Sequence, residues 1–356
     1  MIRCGASFTA GFYKPGFLRA PGLKMRALLG LWVCSSLLVA AQPPPGVLDF
    51  NLGEEYGFKV GQSVDADVAA VIRGAESMNR DSLYFLGLLR LYGQGGLPED
   101  ATKAAKNFRH SAEIGHDEAQ TAYAMLLYHG HGVAQDVKTA LAWFRRAALA
   151  GNVNAQWLLG RTLYEGEARG SATGEHAVDR DFAEALRWFQ EAAEQESSEA
   201  EYYLGLMHEY GRGVEQDFPA AAARYRRAAS MGNIKGLYNL ALMTAYGRGV
   251  NQDFSRALLL FQDCAARNPP YGPCMYYMGV FNLYGYAVPT NYNMALMWFG
   301  KAAISDEDPT ITEKAKEAYR ELRDSLKLAK EKNDAAMNQF AADGGLVEGG
   351  TPSIVD

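Results

Sequence analysis

The 356-residue chain is 48% hydrophobic and 12% aromatic, enough apolar material for a continuous core. Its net charge of −6 argues against a nucleic-acid binder, which needs a basic face to displace counterions. Four cysteines, two of them (Cys4 and Cys34) near the N-terminus, exclude a disulfide-dense miniature scaffold.

No acidic residue precedes Asp49, whereas Arg3, Lys14, Arg19, Lys24 and Arg26 are basic. Ala27 to Ala41 is an apolar run of 15 residues ending in small side chains. A basic flank followed by such a run describes a secretory signal peptide, cleaved before Gln42, with Met25 as the functional start and residues 1–24 as an upstream extension. The run is shorter than the ~20 apolar residues a membrane span needs. A mitochondrial presequence is the competing reading, because the arginines occur without acids. No later apolar run is long enough to span a membrane, and the final TPSIVD is not an ER-retrieval signal. No Asn-x-Ser/Thr acceptor occurs, and a luminal resident is expected to be held in place by a partner.

Residues 42–63, rich in Pro and Gly, read as a linker. Val64 to Met78 reads as a lone second helix, so that 64–81 is a half-repeat capping the N-terminal end of a repeat array.

From Ser82 to Ala303 one pattern recurs. Helix-turn-helix units start at Ser82, Ala119, Ala155, Ala200, Gly236 and Cys274, at spacings of 37, 36, 45, 36 and 38 residues. Self-similarity at 20–50 residues signals a solenoid. Four residues into each unit comes Leu86, Tyr123, Leu159, Leu204, Leu240 or Met278, followed by a small residue: Gly87, Ala124, Gly160, Gly205, Ala241 or Gly279. The small residue lets two helices approach closely. Gly93, Gly130, Gly166, Gly211, Gly247 and Gly285 then end each first helix, most with a second glycine two residues on. No strand precedes these glycines and no Lys-Ser/Thr follows, so they are not phosphate loops.

Asp136, Asp181, Asp217, Asp253 and Asn291 stand where the second helices begin and read as N-caps, with Glu184 spaced from Asp181 as in a capping box. The second helices carry ALAWFRRAA, ALRWFQEAA, AAARYRRAA, ALLLFQDCA and ALMWFGKAA. Their Phe144, Phe189, Tyr225, Phe261 and Phe299 should each contribute roughly 2–3 kcal/mol of burial. Gly115, Gly151 and Gly232 stop three of these helices. The 45-residue third unit carries an insertion from Ala168 to Asp179.

Taken together, Ala-x-x-x-Leu-Gly, Gly-x-Gly-Val, Asp, Ala-x-x-Trp-Phe and Ala-Ala-x-x-Gly resemble the Sel-1-like repeat, a cousin of the tetratricopeptide repeat. The resemblance covers six units over 82–303 and implies an all-α, right-handed α-solenoid. Departures are Glu209, Ala245 and Leu283 where the family has an aromatic, and Ala287 for a turn glycine. By resemblance to tetratricopeptide arrays, the second position after each start faces a concave groove. There stand Tyr84, Thr121, Trp157, Tyr202, Tyr238 and Tyr276, an aromatic ladder fit for a peptide or, alternatively, for inter-repeat packing. Secreted relatives carry disulfides at helix junctions, so Cys264 and Cys274, ten residues apart, are either bridged or two small buried thiols.

After the array, residues 310–340 form a helix with a seam of Ala315, Tyr319, Leu322, Leu326 and Ala329, either a C-terminal cap or a partner-binding helix. Residues 341–356 are expected to be disordered.

The only close histidines, His129 and His131, flank a turn glycine without further ligands, so neither a metal nor another cofactor is expected. No nucleophile, zinc-protease or Walker sequence occurs, and the chain reads as non-enzymatic. The expected function is a protein-interaction scaffold in the endoplasmic reticulum lumen or secreted. The resemblance implies an adaptor of ER-associated degradation, whose partners are ubiquitin-ligase subunits or misfolded glycoproteins. The alternative is a secreted repeat protein with hydrolase or glycan-binding activity.

Overall fold

The computed structural model describes residues 64–166, 178–305 and 308–342. The expectations for the leader with Met25, the linker, most of the third-unit insertion and the C-terminal tail fall outside these residues. The described residues form fourteen α-helices and no strand.

Helix α1 (Val64–Glu76) comes first, and six helix pairs follow. These are α2 (Arg80–Leu91) with α3 (Ala101–Glu113), α4 (Asp117–His129) with α5 (Val137–Leu149), and α6 (Val153–Glu165) with α7 (Phe182–Glu194). Then come α8 (Ser198–Tyr210) with α9 (Phe218–Ser230), α10 (Ile234–Tyr246) with α11 (Phe254–Ala265), and α12 (Gly272–Tyr284) with α13 (Tyr292–Ala302). Each helix packs on the next, giving an α-solenoid within the compact unit that ends at Arg320. The last helix, α14 (Pro309–Ala342), belongs to this unit up to Arg320 and to a second one from Glu321.

Within a pair, one contact sets the spacing. Gly87, Gly160, Gly205 and Gly279 lie against the rings of Phe108, Phe189, Tyr225 and Phe299, where a Cβ would come within 2.5 to 2.7 Å of the ring. Those rings, with Phe144 and Phe261, are the largest fully buried side chains of the array. The fourth pair carries Tyr225 in place of phenylalanine, and its buried hydroxyl donates to Glu209 at 2.7 Å. Glu209 stands where the family pattern has an aromatic, so the departure supplies the acceptor that a buried phenol requires.

Asp136, Asp181, Asp217, Asp253 and Asn291 cap the second helices, and Asp100 does the same for α3. The capping box at Asp181 is half made. Asp181 accepts from the Glu184 amide at 2.8 Å, but the Glu184 carboxylate turns away to Arg145 of the preceding pair, bidentate at 2.8 and 3.1 Å. Burial pushes the Glu184 carboxyl up, yet the Arg145 and Trp188 hydrogen bonds hold it below its ordinary value. A charge-assisted bond between pairs outcompetes a local one.

The glycines of the Gly-x-Gly turns have different jobs. The first, such as Gly130 at φ +70, reverses the chain in the left-handed conformation. The second, Gly132, Gly213 or Gly249, presses on the backbone that opens the preceding second helix, at Ala101, Phe182 or Phe218. That inter-repeat contact, which spacing alone does not announce, leaves no room for a Cβ. Ala287, where the last unit lacks a second glycine, takes positive φ nonetheless.

Junctions between repeats share one scheme. Gly115, Gly151, Glu196 and Gly232 have positive φ, and the next residue, His116, Asn152, Ser197 or Asn233, accepts from the amide three residues on. The amide of that residue bonds back five positions, for instance Asn152 to the Ala147 carbonyl at 3.1 Å. Met78 and Asn79 repeat the same closure between α1 and α2. Between α11 and α12 there is neither a positive φ nor a side-chain cap on Tyr271; Cys264 and Cys274 form a disulfide instead, with Cα atoms 5.9 Å apart.

At the C-terminal end of the array, Ala315 is fully buried and Tyr319 packs beside Gly300 of α13. Further along α14, Leu322 is buried, Leu326 half-buried and Ala329 exposed.

Candidate partner-binding surface

The residues two positions after each repeat start are rooted in the core. Tyr84 packs on Phe108 at 5.7 Å and on His116 at 4.6 Å. Tyr202 packs on Tyr225, Tyr238 on Phe261, and Tyr276 on Phe299, at 6.1, 6.4 and 5.6 Å. Each of the four thus meets the large ring of its own repeat's second helix, and Tyr238 also meets Tyr271 and Tyr277 at 5.6 and 6.0 Å. Trp157 is buried, its indole N–H donating to Asn154 at 3.3 Å with Arg161 5.3 Å above the ring. Thr121 is buried and donates to the Asp117 carbonyl. Tyr276 is also buried, while Tyr84, Tyr202 and Tyr238 are half-buried. Burial pushes the phenols of Tyr84 and Tyr276 up to about 12, and for Tyr84 the charges of Glu118 and Asp117 add to it. The row thus packs on the core of its own repeats and, at Tyr238, also across to Tyr277 of the next repeat at 6.0 Å, so the packing that the sequence offered beside a groove lining is seen there between repeats too.

Further packing between repeats falls one residue later. Tyr203 stacks on Phe189 of the preceding repeat at 4.9 Å, and Tyr277 on Phe261 at 5.1 Å, with ring planes 9° and 4° apart. The sequence carried a signal for them, the doublets Tyr202-Tyr203 and Tyr276-Tyr277. It gave less warning of Glu201, which is fully buried and held by Arg224 and Arg227, each at 3.1 Å. The matching Gln120 and Gln156 reach back to carbonyls of the previous helix at 3.2 Å.

Two histidines sit in packed, low-pKa surroundings. His116 caps α4, accepting from the Ala119 amide at 3.4 Å, and burial lowers its pKa against the pull of Asp81 and Asp117. Although His116, Asp117 and Glu118 gather their ligand atoms within 4.8 Å, they sit at a helix start where the backbone amides disfavour a cation. His129 is driven down to about 4 by burial, then by the charges of Arg161 and His131.

Six successive segments, residues 80–116, 117–152, 153–197, 198–233, 234–266 and 272–306, match the Sel1 repeat. The chain belongs to the Sel1 repeat family. Each matched unit opens on the first residue of a first helix, and the gap at 267–271 is the junction closed by the disulfide. A uropathogenic Escherichia coli protective antigen with this repeat fold superposes at a TM-score of 0.58 and 26% identity over 76% of this chain. This Sel1 chain spans 60% of that antigen's length. A Sel1 repeat protein from Oxalobacter formigenes superposes at 0.56 with 29% identity, covering 64% of this chain and 88% of that one. No curated protein matches the sequence. Sel1 arrays are scaffolds suited to protein–protein interaction, and among the described residues no helix is long and apolar enough to cross a membrane.

Proposed function

We propose that this Sel1 array is an adaptor of the secretory lumen, bringing misfolded proteins to the subunits of a membrane ubiquitin ligase in ER-associated degradation. The disulfide between Cys264 and Cys274 carries the reading. Such bonds persist in oxidising compartments, and a basic-then-apolar leader up to Ala41 supports the same address. Six repeats with a half-repeat before them and α14 after them provide a stacked surface for more than one protein.

The test is localisation of the tagged chain together with affinity purification under crosslinking. Luminal localisation with ligase subunits and unfolded glycoproteins enriched is the expected outcome. Recovery as a partner-free monomer in the medium overturns the adaptor reading and leaves the secreted hydrolase or glycan-binding alternative to be assayed.

A further inference from the structure

What stands at the end of the first helices changes along the array. In repeats 2 and 3 an aromatic lies two residues before the turn glycine, Tyr128 half-buried and Tyr164 only 4% exposed. In repeats 4, 5 and 6 that position holds Glu209, Ala245 and Leu283, and the tyrosine comes one residue later as Tyr210, Tyr246 and Tyr284. One residue is about 100° of helix rotation, enough to carry a ring from a packed face to an outer one. These three are 42%, 56% and 46% exposed, whereas Tyr92 at the same position of repeat 1 is half-buried.

In repeat 4 the core uses the vacated position; in repeat 5 it is only filled. Ala245 is buried at the vacated position, and Glu209 is engaged by the Tyr225 hydroxyl. Aromatic rings about half exposed at one position of three successive repeats are unlike singly scattered exposed residues. The position also adjoins the next repeat, since Glu165, its occupant in repeat 3, accepts from Tyr203 of repeat 4 at 2.7 Å. Repeats 4 and 5 also meet here, Arg248 lying 3.9 Å from Glu209, the residue beside Tyr210.

Each tyrosine has a companion just past the turn glycine. Arg212 lies 5.2 Å over Tyr210, Arg248 lies 5.8 Å over Tyr246, and Tyr286 stands 5.7 Å from Tyr284. Arg212 bonds the Tyr164 hydroxyl at 3.0 Å and forms no ion pair among the described residues. Arg248 makes one long ion pair, to Glu209 Oε1 at 3.9 Å, while Oε2 of the same carboxylate accepts from Tyr225. One guanidinium without an ion pair among the described residues and one with a single long pair, both stacked on exposed rings, can take further negative charge.

We propose that Tyr210, Tyr246 and Tyr284, with Arg212 and Arg248, form a docking strip for an extended acidic segment of a protein partner. Its carboxylates pair with the guanidiniums and its apolar side chains lie on the tyrosine rings, combining acidic-motif recognition with aromatic anchoring. The inference rests on the scaffold reading only in taking a protein as occupant, and it is independent of compartment.

Fluorescence anisotropy of the purified full chain tests it. One 12-residue probe alternates Asp and Glu with Leu and Phe, and a second replaces the acids by Lys and Arg. The acidic probe is expected to bind saturably, about tenfold tighter than the basic one, and more weakly as salt rises. Y210A/Y246A/Y284A should weaken it about tenfold and R212Q/R248Q about fivefold, while the distant exposed substitution Leu149→Ser changes nothing. Circular dichroism melting checks that the variants fold; if the triple variant does not, Tyr246→Ala and Arg248→Gln, both on exposed side chains, carry the test. Equal affinity for the two probes, absence of saturable binding, or insensitivity to the Tyr and Arg variants overturns the strip. None of these bears on co-purification of ligase subunits, which tests the adaptor reading separately.

Discussion

The junctions joining repeats 1 to 5 and the one joining repeats 5 and 6 close the same gap by different chemistry. At the first four, a residue in the left-handed conformation and a capping side chain satisfy the helix ends with local hydrogen bonds. At the fifth, the loop Arg267 to Tyr271 has neither, and the Cys264–Cys274 bond takes their place. Because a solenoid is held together by nearest-neighbour interfaces, each junction governs its own stretch of the array. The hydrogen-bonded junctions hold in any compartment. The covalent one holds only where oxidation is maintained, and it lies between Tyr246 and Tyr284 of the proposed strip.

The largest effect expected from breaking this contrast comes from the disulfide. Cys264→Ala with Cys274→Ala should cost about 2–3 kcal/mol. Hydrogen exchange should rise chiefly in α12 and α13; an equal rise in α4 to α9 would contradict the independence of the junctions. Next comes acid. The His129 imidazole binds a proton in the unfolded chain at about 6.5 but in the folded one only at about 4. The unfolded state therefore holds more protons between those values, and stability falls as pH drops through that window, by about 1 kcal/mol for each pH unit at most. His129→Gln should flatten this part of the profile in urea titrations at pH 7, 6 and 5, and an unchanged slope would reject the assignment.

At a hydrogen-bonded junction, Asn152→Ala should lose about 1 kcal/mol. It removes the cap on Ala155 and the contacts with Thr121 and Asp117, and thermal melts in oxidising and reducing buffer should show the same loss. A loss confined to reducing buffer would mean the junctions are coupled. The smallest effect should be a gain. Glu196 holds φ +63 where Gly115, Gly151 and Gly232 stand at the other junctions, so Glu196→Gly should stabilise by a few tenths to about 1 kcal/mol in the same melts.

Most of the fold was legible because its determinants are local and recur. Asp caps, turn glycines and the small residue facing a large ring announce themselves at fixed spacing. The left-handed Met78 and Glu196 did not, since backbone hydrogen bonds impose their conformation and neither side chain advertises it. Glu184 misled as a capping-box residue because Arg145, 39 positions earlier, lies within reach only after the repeats stack. The candidate surface was legible in part. Counting from repeat starts picked out Tyr84, Trp157, Tyr202, Tyr238 and Tyr276, but counting cannot tell a ring packed on its own second helix from one facing solvent. Glu209, Ala245 and Leu283 were visible as departures, while the exposure of the tyrosines beside them depends on helix rotation against a packed neighbour.

A repeat scaffold working in an oxidising lumen must keep its one covalent junction closed in the cell, and the intact mass of the endogenous chain reads that state. Cells are quenched with a thiol-alkylating reagent under denaturing conditions and the chain is weighed. The expected product is a chain beginning at Gln42 with Cys264 and Cys274 oxidised and carrying no alkyl group. A chain alkylated at both cysteines would contradict the luminal scaffold.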